Sequence, residues 1–259
     1  MNPDPSSEPA TAASGGPPTV AGHTPWFFQG IDWRTAARYA AILGLLASFS
    51  QCLSDLNLQK SQEWPWWEFL RLFWLYAPCA FLGAVFALKT GLEPFLANRP
   101  SGWLGKGRQL MIFGVIPGAA IALSFHRMFA PFRFSPRIPA YLREMDSFYD
   151  SFVLSLRAAV TEELVFRFFL LAAFYYILTR MLQPLRDRGW PRLGWLAVLG
   201  SILLSAWLFG LIHGSFGFTT AFLAGVVFGG IFWRAGFESA LVSHFVADFI
   251  FFNLTYVGE

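Results

Sequence analysis

The length of its uninterrupted apolar segments limits what this chain can fold into. A helix that crosses the ~30 Å hydrocarbon core of a bilayer needs about 20 apolar residues. The sequence carries about seven such runs, near Thr35–Leu56, Trp66–Leu88, Gln109–Phe129, Phe148–Leu182, Leu193–His213, Phe218–Trp233 and Ser239–Val257. Transmembrane β-strands would read as short alternating segments, and these runs are continuous. Only 14% of the residues are charged, against about 25% in a soluble domain, so there is too little polar surface to cover a globule. The expected fold class is all-α, a polytopic transmembrane helical bundle of about seven to eight spans. Pro117 and Gly118 predict a kink in the third run. The fourth run is longer than a membrane needs, which puts its first turns at the surface.

Residues 1–24 are rich in Pro, Ala, Ser and Gly and lack the basic start and apolar stretch of a signal peptide. They read as a disordered tail. The rest, 25–259, reads as a single transmembrane helical domain. Cys52 and Cys79 lie in apolar runs and are expected as core residues without a disulfide. The net charge of +3 does not point to nucleic acid, because the basic residues lie between apolar runs, where they set topology. With seven spans, Arg34, Arg38, Lys89, Arg99, Lys106, Arg108, Arg180, Arg186, Arg188, Arg192 and Arg234 share a side, against Lys60, Arg127, Arg133, Arg137 and Arg143 opposite. This predicts a cytoplasmic N-terminus and an outer C-terminus, in the plasma (inner) membrane. Trp26, Trp33, Trp64, Trp66, Trp67, Trp103, Trp190, Trp195, Trp233 and Tyr256 cluster at run ends, as an interfacial belt would. Gly225 and Gly229, and again Gly210 and Gly214, have the G-x-x-x-G spacing that lets helices approach closely.

A charge at the bilayer centre costs roughly 2.5–3.5 kcal/mol, so ionisable groups well inside an apolar run mark candidate functional sites. The fourth run holds Glu162, Glu163 and Arg167, the fifth ends in His213, and the seventh holds His244 and Asp248. At about 100° per residue, Glu163 and Arg167 are i,i+4 neighbours that neutralise each other. Glu162 lies about 140° from Arg167 and is expected to point elsewhere. A carboxylate left unpaired in a low-dielectric site suits a general base or acid. His244 and Asp248 share a face, and Phe209 and His213 have the same spacing. Three helices can thus aim one Glu, two His and one Asp at one interior point. That set suits water activation, and it is also an acceptable zinc set. Against this stands a plain packing role, in which the Glu–Arg pair locks helices and each His is a hydrogen-bonded core residue. His126 is expected at the interface and His23 in the tail. Ser215, in HGSFG, has no partner that would make it a nucleophile.

Together, Glu162-Glu163-x-x-x-Arg167, Phe209-x-x-x-His213 and His244-x-x-x-Asp248 resemble the signature of the CAAX-protease and bacteriocin-processing (CPBP, or ABI) family of intramembrane endopeptidases, which includes the Ras-converting CAAX-prenyl endopeptidase. The resemblance covers about Phe148–Val257, the expected catalytic core. It implies a catalytic Glu162 with His213 as its partner in activating water. His244 and Asp248 match the oxyanion or metal-binding positions, and Glu163, Arg167 and Phe209 the supporting ones. The chemistry it implies is glutamic-type or metallo-endopeptidase, with no cofactor or one divalent metal (zinc) held by Glu162, His213, His244 and Asp248. The implied partners are the lipid bilayer and a membrane-anchored protein or peptide substrate. A non-catalytic scaffold or immunity protein of the same fold is the alternative. Asp248 stands where the motif takes Asn or Asp. An ionised Asp only accepts hydrogen bonds, so it must be protonated, orient His244 or bind a metal.

Overall fold

Seven apolar helical rods make up the structure, a computed structural model that describes residues 31–59, 66–92, 94–95, 102–129, 131, 142, 145, 147–190 and 193–257. The rods are α1 (Trp33–Gln59), α2 (Trp66–Thr90), α3 (Trp103–Leu110) continued by α4 (Ile116–Phe129), α5 (Phe148–Glu162) continued by α6 (Ala172–Asp187), α7 (Gly194–Ile212), α8 (Gly214–Ala235) and α9 (Phe237–Thr255). All seven are long and apolar enough to cross a membrane, and the described residues contain no strand. The chain is an integral membrane protein. The tail expected over residues 1–24 lies outside the described residues, as do Trp26, Trp64 and most of the basic stretch after Arg127.

Two rods are broken by π-helical turns. The first, Met111–Val115, closes with the Ile116 N–H on the Met111 carbonyl, an i→i+5 bond. Pro117 follows, and its missing N–H would have served the carbonyl four residues back. The irregularity expected at Pro117–Gly118 therefore takes the form of a wider turn just before them. Gly118 instead seats α4 on α9, since a Cβ there would collide with the Ser243 carbonyl oxygen. The second π segment is Glu163–Leu171, between α5 and α6.

The rod Phe148–Asp187 is central, touching α1, α2, α7, α8 and α9, while α4 packs on α9. Its start is fixed by a capping box in which the Ser147 hydroxyl and the Asp150 carboxylate each accept the other's backbone N–H. Asn57 of α1 donates to Asp150 at 2.5 Å. Gly225 and Gly229 pack as their spacing predicts, with a Cβ at either position 3.1 Å from α7 atoms. Gly214 does not extend the pattern. It has φ +67 and open space beside it, and it turns the chain between α7 and α8. Trp66, Trp67 and Trp103 are exposed as an interfacial belt requires, but Tyr256 turns inward to line a cavity. Both cysteines are free, Cys52 buried and Cys79 partly so.

Candidate active site

The π segment decides where the acidic pair points. Its i→i+5 bonding fits more residues into a turn than the 3.6 of an α-helix, so consecutive side chains are closer in angle. Glu163 and Arg167, four apart, still meet, with Arg167 Nη1 3.2 Å from Glu163 Oε1. Both are sealed, at 0% and 1% exposure. Glu162 points away from that pair, as the spacing predicts, and toward His244. Its Oε2 is 3.7 Å from His244 Nε2, and its side chain is 23% exposed. The same widening loosens the backbone ladder, and the Ser205 hydroxyl of α7 donates to the Phe166 carbonyl at 2.5 Å.

His244 is where the acids converge. Its Nδ1 is 2.8 Å from Glu163 Oε1, and an ionised carboxylate only accepts, so Nδ1–H donates. Its Nε2 faces Asp248 Oδ2 at 3.4 Å and Glu162 at 3.7 Å, distances too long for tight hydrogen bonds. The ring stacks on Phe228 with centroids 4.7 Å apart. Phe228 and Phe209 also flank the Arg167 guanidinium, at 5.4 and 4.3 Å from their centroids. Such cation–π contacts stabilise a charge that has little water around it. The His213 ring lies 4.6 Å from that of Phe209. His213 is the joint between α7 and α8. Its Nδ1–H donates to the Phe209 carbonyl at 2.8 Å, which leaves Nε2 as the acceptor.

Glu162, His213, His244 and Asp248 line one cavity of about 430 Å³. Its remaining wall is mostly apolar, with Phe125, Phe129, Phe251 and Phe252 prominent. Sequence reasoning passed over two residues of this cavity. Phe228 has no periodic signal inside an apolar helix. Arg157 also lines the cavity, and its signal was a charge five residues before Glu162 with no acid four residues away. His126 is not merely interfacial: its Nδ1 is 3.1 Å from Thr255 Oγ1, tying α4 to α9. Among the described residues, no three His, Cys, Asp or Glu side chains converge to hold a metal ion. The Nδ1 of His213 is held by its own helix and that of His244 by Glu163, which leaves each Nε2 for other partners. Glu162, His213, His244 and Asp248 share the cavity wall without meeting as a ligand set in this arrangement.

The family model described as "Type II CAAX prenyl endopeptidase Rce1-like" matches residues 145–250. No curated protein and no solved structure gave a match. The matched stretch contains the Glu162–Arg167, Phe209–His213 and His244–Asp248 motifs that meet at the cavity. Over residues 145–250, the chain is thus similar to the CAAX prenyl endopeptidases that this family model describes.

Proposed function

We propose that the protein is a glutamic-type intramembrane endopeptidase that hydrolyses a peptide bond in a membrane-anchored, CAAX-type protein or peptide. The observation that carries this reading is the single cavity lined by Glu162, His213, His244 and Asp248. Glu162 is the member of the acidic pair with access to that cavity. It takes a proton from water, while the Nε2 acceptor of His213 orients that water. The oxygen bonds to the scissile carbonyl carbon, and the carbonyl π pair moves onto oxygen. His244, in its doubly protonated form, keeps Nδ1–H on Glu163 and turns Nε2–H to the oxyanion. One such donor contributes about 2.7–4 kcal/mol in soluble enzymes. Collapse breaks the C–N bond, and Glu162 returns its proton to the leaving amine. Asp248 holds the His244 ring in orientation. The aromatic wall supports an apolar anchor, such as the prenyl chain named in the family description.

The test uses the full chain in detergent with a prenylated CAAX-type peptide. Glu162→Gln should lower turnover by about 10²–10⁴-fold, the range of general acid–base catalysis, while thermal unfolding is unchanged. Full cleavage by this variant would end the proposal. Retained biological activity would favour the scaffold or immunity reading, which the sealed Glu163–Arg167 lock also suits. Strong chelators should leave wild-type turnover intact, and loss that returns with zinc would overturn the glutamic assignment. The basic-residue asymmetry supports a cytoplasmic N-terminus in the plasma membrane. A cysteine introduced at Gly189, between α6 and α7, should then react with an impermeant thiol reagent only from the cytoplasmic side.

A further inference from the structure

Arg157 is a charge that the reaction above does not use. It lies on α5, is partly buried, and lines the same cavity as Glu162. Among the described residues its guanidinium has no hydrogen bond or ion pair, and its near electrostatic neighbour is Tyr76 of α2. The other arginine of this helical rod near the site, Arg167, has a carboxylate and two aromatic faces for its charge. A cation inside an apolar segment costs roughly 2.5–3.5 kcal/mol. Among the described residues, no carboxylate forms an ion pair with Arg157, though Glu162 and Asp248 line the same cavity.

We infer that Arg157 binds a carboxylate of the substrate, its free C-terminus, and so sets how far from the chain end the bond is cut. This deepens the proteolytic reading and rests on it. The guanidinium fork matches a carboxylate in bidentate fashion, and the pair strengthens where water is scarce. Five α-helical residues separate Arg157 from Glu162 along the axis by about 7.5 Å. An extended peptide rises about 3.3 Å per residue. A carboxylate held at Arg157 therefore puts a bond two to three residues upstream beside Glu162. The cavity's own carboxylates, Glu162 and Asp248, would repel such a terminus without a cation to receive it.

The experiment compares prenylated CAAX-type peptides ending in a free acid, in an amide, and in an amide after a final Asp. Wild type should process the acid about 10- to 100-fold better than the amide in kcat/KM, the range of a charge-assisted pair. Arg157→Gln should shrink that preference to within about two-fold, as in a double-mutant cycle, and Arg157→Lys should keep part of it. Rescue of the amide by the final Asp would identify the carboxylate itself as what Arg157 reads. Equal turnover of acid and amide by wild type overturns the inference and leaves proteolysis standing. So does an acid preference that survives Arg157→Gln. Loss of binding to anionic lipid vesicles in Arg157→Gln, with no acid preference in wild type, would assign the residue to a lipid phosphate instead. If wild type cleaves no peptide, binding decides: Arg157-dependent preference for the acid supports the inference while proteolysis falls.

Discussion

His244 has acceptor oxygens at both ring nitrogens, from Glu163 on one side and from Glu162 and Asp248 on the other. Asp248 lies farther from the ring than Glu163 does, at 3.4 against 2.8 Å. At 3.4 Å it orients the ring rather than gripping it, and an Asn amide there would add a donor for the oxyanion. Asp248→Asn should therefore keep kcat/KM within about ten-fold, and Asp248→Leu should lose more, up to the range of a lost oxyanion group. Glu163 and Arg167 behave differently because they are sealed. Removing one member of a buried ion pair strands the other at about 3–5 kcal/mol. Glu163→Gln and Arg167→Met should each lower the unfolding midpoint in detergent, and the double variant should recover part of the loss. The Glu163–Arg167 pair was legible in the sequence because residues four apart are neighbours in both α and π turns. Arg157 was not, since it stands in the early turns of a run longer than a membrane needs, which length alone puts at the surface.

At the scale of elements, the seven rods follow directly from hydropathy, with the third starting six residues earlier and the fourth ending five residues later than expected. What hydropathy cannot carry is the local pitch. The wide turns at Met111–Val115 and Glu163–Leu171 keep the same apolar composition as their neighbours. The second of them begins directly after Glu162, at the acidic pair, and nothing in the hydropathy marks it. The meeting of α4 with α9 is similarly invisible to periodicity. It rests on Gly118, which lets the Ser243 carbonyl, one residue before His244, come within van der Waals reach of the helix. Gly118→Val should push α9 away and separate His244 from Glu163. Crosslinking between cysteines placed at Gly114 and Val242, which meet in the native packing, should weaken in that variant, and turnover should fall with it.

For the molecule as a whole, three rods bring the cavity's polar residues together: Glu162 and Arg157 from the fourth span, His213 from the end of the fifth, and His244 and Asp248 from the seventh. That convergence was anticipated from three spacings. The joint at His213 was not, because the turn between α7 and α8 comes from the positive φ of Gly214 rather than from any apolar pattern. The order of these contributions matters during synthesis. Spans enter the membrane from the N-terminus onward, so Glu162 and its Glu163–Arg167 neighbours are in the bilayer before α9 has left the ribosome. Until α9 docks, the acidic pair has no His244 beside it. A half-made chain therefore lacks the His244 and Asp248 wall of the cavity, and the polar pocket is completed only by the last span.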